Sequence, residues 1–575
     1  MAVRGADVLD PAQRTGELPV ETGGPFSPAR VSDAGRRLLQ RLGGEGYLSA
    51  KVDVSCRGHD PEVPSDSCAV DKIRSKRVDL EFRVTPGPRS SVGAVFVRGT
   101  QRTRDSVVLR DFPEPGQPYD VNRVAEAVRR LKDLGVFNLV QVQPVGADEK
   151  PPREKVALVV NTRESRSRFI DIGGGFETLN RSGSFPGWIT SPIAASLSLQ
   201  DRSTTAFGRV LGLQIPDVLL SAEVRYTDMN FLGRAKRLYL PVKYGLSATA
   251  WDRYASFTPS IVDPRFLVRG LTLRFTPFAV YDRATTRYDT LQFGAELALS
   301  KELFTRLFGA ISVQLAEVRT RDPEVAATWS PFRLEGKVTP TLTYDRLDHP
   351  INPTRGGMLQ ASLSYINAMS SGAMNHFVKY DVTGKLFWTA RRTVTFALSA
   401  RYGDSSSFSG DRLPDEERFT LGGNQGVRGL TDGAVHQYLS DGTPRTDVKD
   451  VVVSRSRPVA ERSIVTGGNT LVSSSAEIRF PIVRHLSFNG AIFYDVGALS
   501  ERISDLSAKS FRQSIGFGIR YLLGGSIPFR LDYGLVLDRR CRKVSKDVNV
   551  SPDDPGFCLE KDPIGNIHFG ILYTF

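Results

Sequence analysis

The chain has 575 residues, of which 24% are charged and 9% are aromatic, and its formal net charge is +13. This composition argues against disorder, and no apolar run reaches the roughly 18 residues that a spanning helix needs. No nucleic-acid motif accompanies the positive charge, so we expect a basic surface or lumen and no nucleic-acid partner. We expect neither an enzyme nor a cofactor, because the six histidines are scattered and no nucleophile elbow or phosphate-binding Gly-Lys-Ser/Thr sequence occurs.

Residues 1–88 predict a partial or degenerate small α/β domain with an irregular N-terminus. Val31, Ala34, Leu38 and Leu42 recur at helical spacing, and two strands are predicted after them, at 47–54 and 77–84. A first strand is missing or degenerate in this pattern. The N-terminal residues include no apolar segment typical of a secretory signal. For an exported chain we therefore expect a removed signal, a truncated chain or a misassigned start.

Residues 89–165 predict a more regular domain of order β-α-α-β-β. The strands are expected at 92–97, 137–142 and 155–161. Thr103 is the predicted cap of a short helix. Asp120 is the predicted cap of a longer helix that ends before Gly135.

From residue 166 to residue 575 the sequence alternates between apolar and polar residues and shows no convincing helix. In 486–496, for example, Phe488, Ile492 and Tyr494 share one face, whereas Asn489 and Asp495 share the other. A soluble barrel or sandwich would alternate in the same way. The length of the strands, the polar second face and the aromatic residues near strand ends favour a membrane. The predicted fold is therefore mostly β, a transmembrane antiparallel β-barrel of about 16 strands preceded by small α/β domains.

The four cysteines form two local pairs, Cys56 with Cys68 and Cys541 with Cys558. Each pair lies in a polar segment, and no CxxC or histidine cluster accompanies it, so a zinc site is not expected. We expect two disulfides formed in an oxidising compartment, with four free thiols as the alternative.

The segment 418–430, Arg-Phe-Thr-Leu-Gly-Gly-Asn-Gln-Gly-Val-Arg-Gly-Leu, is hereafter called the motif loop. Its four glycines permit tight turns and close backbone packing, which suggests that Arg428 is held in place. A flexible surface loop with a solvated Arg428 at its tip is the alternative interpretation.

The motif loop resembles the signature loop of the BamA/TamA family of outer-membrane assembly barrels. The resemblance rests on Phe419 and on the residues Gly422, Gly423, Val427, Arg428 and Gly429. Leu430 stands where the family usually has Phe or Tyr. Residues 89–165 resemble a POTRA domain of this family, and residues 1–88 resemble part of another. Three short stretches resemble family motifs and occur in the family's order, namely Asn230–Gly233, Asp345–Gly356 and Asp495–Gly497. The C-terminus resembles the family's β-signal at His568, Gly570, Tyr573 and Phe575.

In that family the motif loop folds back into the barrel lumen, and its arginine pairs with acidic residues on the inner wall. Alternation places Asp495 and Glu477 on the inner face of two strands that follow each other in the sequence. The resemblance and this placement together predict an ion pair of Arg428 with Asp495, with Glu477 close by.

The resemblance implies an assembly factor that inserts β-barrel or autotransporter-type clients into the outer membrane, with POTRA domains receiving the clients in the periplasm. Its partners would be the lipid bilayer, unfolded clients and a periplasmic chaperone, lipoprotein or inner-membrane-anchored protein. The barrel would open between the strands 168–178 and 565–575. The run Gly173, Gly174 and Gly175 would weaken that closure, or else it marks a simple bend.

The alternative function is a two-partner secretion pore that exports a dedicated passenger protein. Such relatives also carry POTRA domains and the Arg-Gly loop, but they usually have an N-terminal plug helix, which the sequence does not predict. The POTRA-like modules argue against a passive porin.

Overall fold

The computed structural model describes most of the chain, in the following residues: 1–10, 18–58, 68, 78–178, 213–214, 218–247, 250–283, 289–321, 329–350, 352–370, 373–391, 393–408, 413–414, 417–423, 426–430, 435–439, 443–451, 459–465, 467–483, 488–523 and 527–571. The chain divides into two compact units. Unit 1 is Met1–Phe169 with Asp228–Arg237, and unit 2 is Ile170–Thr227 with Leu238–Phe575.

Unit 1 begins with a three-stranded sheet and one helix. The elements are β1 (Ala2–Arg4), α1 (Pro28–Gly44), β2 (Lys51–Gly58) and β3 (Val78–Thr85). β1 pairs in parallel with β3, so the first strand that the sequence pattern lacked is present as three residues. Three residues are too few to produce a readable alternation. The apolar stripe of α1 packs on this sheet, where Leu38 and Phe82 are fully buried.

A second sheet with two helices follows in unit 1. Its elements are β4 (Ser91–Arg98), α2 (Asp105–Leu109), α3 (Val121–Asp133), β5 (Phe137–Val145) and β6 (Lys155–Glu164). The strand order is β4-β6-β5, with β4 parallel and β5 antiparallel to the central strand. The Asp120 carboxylate accepts a hydrogen bond from the Asn122 amide at 2.8 Å, so the predicted cap of α3 is confirmed.

The predicted cap of α2 is wrong. Arg104 occupies the N-cap position, without a side-chain capping bond. The Thr103 hydroxyl instead accepts a hydrogen bond from Asn230 Nδ2 at 2.9 Å, and the Thr103 amide donates to Glu164 Oε1 at 2.7 Å. Thr103 lies one residue before the N-cap, and its hydroxyl and amide bond to Asn230 and Glu164 instead of to the first turn of α2.

The Asn230–Gly233 turn, which resembles a family motif, folds as part of unit 1. Asn230 Oδ1 accepts from the Ala235 amide at 2.9 Å, and the Gly233 carbonyl accepts from the Arg104 amide at 2.9 Å. Gly233 has a φ of 70°, and a Cβ there would lie 2.2 Å from the Arg102 carbonyl oxygen. Both the backbone angle and this close approach require glycine at this position.

Glu164 is expected to stabilise the loop before α2 in a pH-dependent way. Burial raises the pKa of its carboxyl, but hydrogen bonds from Thr103, Arg102 and Gln101 outweigh burial and hold the pKa below its ordinary value. The stabilisation is therefore present above the ordinary glutamate pKa of about 4.3 and is lost as the pH falls through the lowered folded value. Glu164→Gln should increase hydrogen exchange at the amides of 101–103 at neutral pH.

Exposed Glu154 provides the matched control, because Glu154→Gln leaves intact the hydrogen bonds from the amides of 101–103 to Glu164. Hydrogen exchange measured by mass spectrometry on the full chain compares the two variants. Equal exchange of 101–103 in both variants and the parent would refute the assigned role of Glu164.

Unit 2 contains a closed β-barrel. The segments that form the barrel are β7 (Arg168–Thr178), β8 (Leu213–Gln214), β9 (Val218–Phe231), β10 (Lys236–Ser247), β11 (Ala250–Phe257), β12 (Ser260–Asp263), β13 (Thr272–Asp282), β14 (Asp289–Phe304), β15 (Leu307–Arg321), β16 (Arg333–Asp345), β17 (Gly356–Ser370), β18 (Ala373–Ala390), β19 (Val394–Ser407), β22 (Thr470–Val483), β23 (Phe488–Ser500), β24 (Arg512–Leu523), β25 (Ile527–Val536) and β28 (Gly565–Ile571). Outside the barrel are β20 (Thr446–Val451), β21 (Val459–Ile464), β26 (Cys541–Val544), β27 (Cys558–Lys561) and two 3-10 turns, Ile503–Asp505 and Ala508–Ser510.

The barrel closes by pairing of β28 with β7, the last and first strands. β11 and β12 both pair with β10 and with β13, so they form one strand that is interrupted at 258–259. With these two joined, and the two-residue β8 set apart, the described segments make sixteen strands, the predicted number. β8 pairs in parallel with β28 at Gly565 and Asn566.

The apolar faces of the barrel strands point outward. Large apolar side chains within regular barrel strands are between 52% and 64% exposed, for example those of Leu315, Leu359, Trp388 and Phe517. A soluble barrel would bury this face, so the outward direction resolves the ambiguity that alternation left and identifies a membrane barrel. Among the helices that the structure describes, none is long and apolar enough to cross a membrane.

Two hairpins outside the barrel, β20–β21 and β26–β27, pack against each other. Arg462 donates hydrogen bonds to the carbonyl oxygens of Val548 at 2.9 Å and Val550 at 2.6 Å. Ile464 and Phe557 lie in one buried apolar cluster between the hairpins. The chain between the last two strands is therefore tied to the chain that follows the motif loop.

Both predicted cysteine pairs are disulfides in the structure, Cys56–Cys68 and Cys541–Cys558. The second disulfide joins β26 to β27 and so closes one of the two packed hairpins. We expect no titratable thiol in unreduced, denatured protein and four after reduction. Detection of four thiols before reduction would contradict both pairings.

Candidate functional site: the motif loop on the inner wall

The motif loop forms a compact turn, and eight of its eleven described residues are buried. The Gly423 amide donates to the Leu430 carbonyl at 3.0 Å, which closes the loop on itself. Gly423 and Gly429 have φ values of 72° and 98°, in the region that favours glycine. Val427 and Leu430 are fully buried, so the family's aromatic position is filled here by a leucine that packs in the same apolar cluster as Phe419.

Glycines in the barrel wall leave room for the apolar side chains of the loop. A Cβ at Gly497 would lie 2.6 Å from Leu421 Cδ2, and a Cβ at Gly403 would lie 2.5 Å from the Phe419 ring. This space gives the Asp495–Gly497 motif a physical meaning, because the aspartate binds the loop and the glycine accommodates it.

Arg428 binds Asp495 through both its side chain and its backbone. Nε donates to Asp495 Oδ2 at 2.7 Å, Nη2 donates to Oδ1 at 2.8 Å, and the Arg428 amide donates to Oδ2 at 3.0 Å. Arg428 is 2% exposed and Asp495 is fully buried, so the arginine is not solvated at a loop tip. Only the planar fork of arginine can form this paired contact.

Two more carboxylates and an aromatic ring complete the surroundings of Arg428. Its Nη1 donates to Glu477 Oε2 at 2.9 Å and to Asp532 Oδ2 at 3.0 Å. Its guanidinium lies 3.4 Å from the centre of the Phe493 ring, in a cation–π contact. The structure thus brings together the three residues expected from the sequence and adds Asp532 and Phe493.

Three arginines of the wall pair with the same carboxylates. Arg520 bonds both Glu477 and Asp532, Arg479 donates to Glu477 at 2.8 Å, and Arg530 lies 3.5 Å from Asp532. Four guanidinium groups thus face three carboxylates. Glu477 and Asp532 each pair with arginines of the barrel wall as well as with Arg428. Among the described residues, the ion pair of Asp495 is with Arg428.

Sequence reasoning missed Asp532, Arg520 and Arg530. A signal was present, because Arg530, Asp532 and Gly534 alternate with Phe529, Leu531 and Tyr533 in β25. Alternation shows which residues of one strand face inward. It does not show which inward-facing residues of different strands lie at the same level along the barrel axis and so contact each other.

A second anchor holds the start of the motif loop. Arg418, 3% exposed, forms an ion pair with Glu501. Gln437 Nε2 also donates to Glu501 Oε1 at 2.8 Å. Glu501 therefore ties Arg418, at the start of the motif loop, to Gln437, which follows the loop.

A third anchor lies at Tyr438. Arg512 Nη1 donates to the Tyr438 hydroxyl at 2.7 Å, and Arg512 Nη2 donates to Asp562 Oδ2 at 2.6 Å. Asp562 also accepts from the Arg540 amide at 2.7 Å. The chain after the motif loop is thus bound to the segment that leads into the last strand.

The remaining sequence-predicted residues lie in or near the closing strands. His568 and Gly570 are in β28, whereas Tyr573 and Phe575 lie outside the described residues. Gly173, Gly174 and Gly175 are in β7, and the role of this run in a weak closure stays a prediction. Among the described residues, no group of three or more His, Cys, Asp or Glu side chains could hold a metal ion.

Comparison with protein families assigns the chain. The model of the Omp85 superfamily domain matches residues 230–575, more than half of the chain. The chain belongs to the Omp85 superfamily. The POTRA model, described as surface antigen variable number repeat, matches residues 2–87 and 90–165. The Omp85 chain is therefore an outer-membrane β-barrel protein with periplasmic POTRA modules.

Two curated relatives carry the name outer membrane protein assembly factor BamA. The protein from Neisseria meningitidis is 22% identical over 77% of this Omp85 chain and 49% of the relative. The protein from Neorickettsia risticii is 20% identical over 87% of the chain and 58% of the relative. The chain thus spans about half the length of the curated relatives it matches.

A solved structure shares the fold of this Omp85 chain. The crystal structure of BamA from Haemophilus ducreyi lacking POTRA domains 1–3 superposes with a TM-score of 0.63 at 17% identity. The match covers 96% of this chain and 95% of that structure. At this identity the likeness establishes the fold.

Proposed function

We propose that this protein assembles outer-membrane proteins by folding and inserting β-barrel clients through the junction of β7 and β28, here called the seam. The observation that carries the proposal is the placement of the motif loop, which binds the inner wall at Arg428 and contacts the last strand at His568. The names of the two curated relatives support this function. We propose unfolded outer-membrane proteins as its clients, and a periplasmic chaperone, a lipoprotein or an inner-membrane-anchored protein as its further partner.

The physical task is to bring strands into lipid without leaving backbone groups unpaired, since each unpaired group costs several kcal/mol there. A client strand that pairs with an open edge of the barrel avoids this cost. β7 carries Gly173 and Gly174, which have no side chains to pack across the junction. This feature favours a seam that opens more easily than the other strand pairs.

The function is tested with the full chain in liposomes and an eight-stranded outer-membrane barrel supplied in urea. We expect the client to fold faster than in empty liposomes, scored by its heat-modifiable mobility. Liposomes with the Arg428→Ala chain provide the matched comparison. Client folding at the rate of empty liposomes would overturn the proposal, and client passage into the vesicle interior without insertion would favour a secretion pore.

A further inference from the structure

We propose that His568 of the last strand is a positioning residue that latches the motif loop to the seam. This inference rests on the proposed function, because a latch has a purpose only if the last strand moves. It assigns to one residue of the β-signal a task inside the finished barrel.

The latch is a hydrogen bond between the loop backbone and a side chain of β28. The Gly429 amide donates to His568 Nε2 at 2.8 Å. His568 is 1% exposed, so water does not compete for the bond. A ring nitrogen that accepts a hydrogen bond is unprotonated, which fixes the tautomer of this imidazole with its proton on Nδ1.

The neighbouring contacts place the loop on the last two strands together. His568 is the register partner of Asp532 in β25, and Asp532 accepts from Arg428 Nη1 at 3.0 Å. Consecutive loop residues thus bind adjacent strands, Arg428 to β25 and Gly429 to β28. Asp532 and Arg530 from β25 and Arg428 from the loop act electrostatically on His568.

The loop backbone reaches His568 because two glycines meet there. A Cβ at Gly429 would lie 2.9 Å from the Gly534 carbonyl oxygen, and a Cβ at Gly534 would lie 2.5 Å from the Gly429 nitrogen. Any side chain at either position would lift the loop away from the strands. The Gly429 amide that donates the hydrogen bond to His568 is therefore also the group that packs closely on Gly534.

The geometry makes displacement of the last strand and release of the loop one event. A displacement of β28 that exposes the edge of β7 and also draws β28 away from β25 breaks the bond to Gly429, because Arg428 stays bound to β25. Conversely, a docked loop holds β28 against β25. A client that replaces β28 at the seam would thereby also free the motif loop.

The latch is tested by thiol labelling of Leu430→Cys, a reporter at a fully buried loop position. The four native cysteines are in disulfides, so the reporter is the only free thiol expected. The reporter is combined with His568→Phe, which keeps a ring without an acceptor, and with His568→Gln, whose Oε1 can accept at the position of Nε2. Labelling is measured with a maleimide on the folded fraction, identified by heat-modifiable mobility, in liposomes without client.

We expect labelling about tenfold faster in His568→Phe than with His568, as for the loss of one buried hydrogen bond, and near the original rate in His568→Gln. His568→Leu replaces the phenylalanine variant if that variant does not fold. Unchanged labelling in the variant without an acceptor, or equally fast labelling in His568→Gln, would overturn the latch. Because no client is present, these outcomes are independent of the client-folding assay that tests the proposed function.

Discussion

Arg428→Ala is expected to release the motif loop and to abolish most client assembly. The substitution leaves Asp495 buried without the charged partner that the structure shows, and it removes one ion pair each from Glu477 and Asp532. Removal of one partner from a buried ion pair costs about 3–5 kcal/mol. Loop release is measured by protease cleavage within 418–439 on the folded barrel, and assembly is measured by client folding in liposomes.

Arg428→Lys separates charge from geometry, because lysine supplies a cation without the planar fork. We expect an intermediate effect for it. Exposed Arg502→Ala is the control for loss of an arginine and should behave as the parent. Adding Asp495→Asn to Arg428→Ala should recover part of the lost stability, because the unpaired charge is then absent. Parental protease resistance in Arg428→Ala would show that the cluster does not hold the loop.

Gly534→Ala is expected to release the loop without changing any charge. The added Cβ would lie 2.5 Å from the Gly429 nitrogen and 2.6 Å from the Arg428 carbonyl carbon. Both atoms are backbone, so no side-chain rotation relieves the overlap, and we expect a cost of about 1–3 kcal/mol. The same protease and client-folding measurements apply, and both should change in the direction seen for Arg428→Ala.

Gly336→Ala is the matched control, since Gly336 also lies in a barrel strand and a Cβ there would meet no atom within 4 Å. It should leave the loop protected and client folding unchanged. If Gly534→Ala and Gly336→Ala give equal protection of the loop, the close packing of the loop on β25 is not what holds it.

The parts of the site that the sequence predicts are those with a local pattern. Alternation assigns Asp495 and Glu477 to the inner face because each lies within its own regular strand. Asp532 and Arg520 are as regular, but the meeting of Asp532 with Arg428, and of Arg520 with Glu477, depends on the stagger of four strands, which no single strand encodes. Phe493 breaks the simple rule that the inner face is polar, because there the aromatic ring stacks on a guanidinium instead of contacting water.

In unit 1 the sequence predictions fail where a tertiary partner competes with a local preference. Thr103 has the residue type of a helix cap, yet Glu164 and Asn230, distant in sequence, engage its amide and hydroxyl. Asp120 has no such competitor and caps α3 as predicted. The short β1 is held by pairing with β3, which depends on a strand more than 70 residues away.

The most direct test of the central claim is site-specific photo-crosslinking of a stalled client at the seam. A photoreactive residue replaces Ile172 on β7, which is 72% exposed, or Leu297 on β14, which is 44% exposed and far from the closing strands in the barrel order. We predict crosslinks to the client from position 172 and none from position 297, with the 172 crosslinks lost in Arg428→Ala. Equal crosslinking from both positions, or none from position 172, would contradict insertion through the seam.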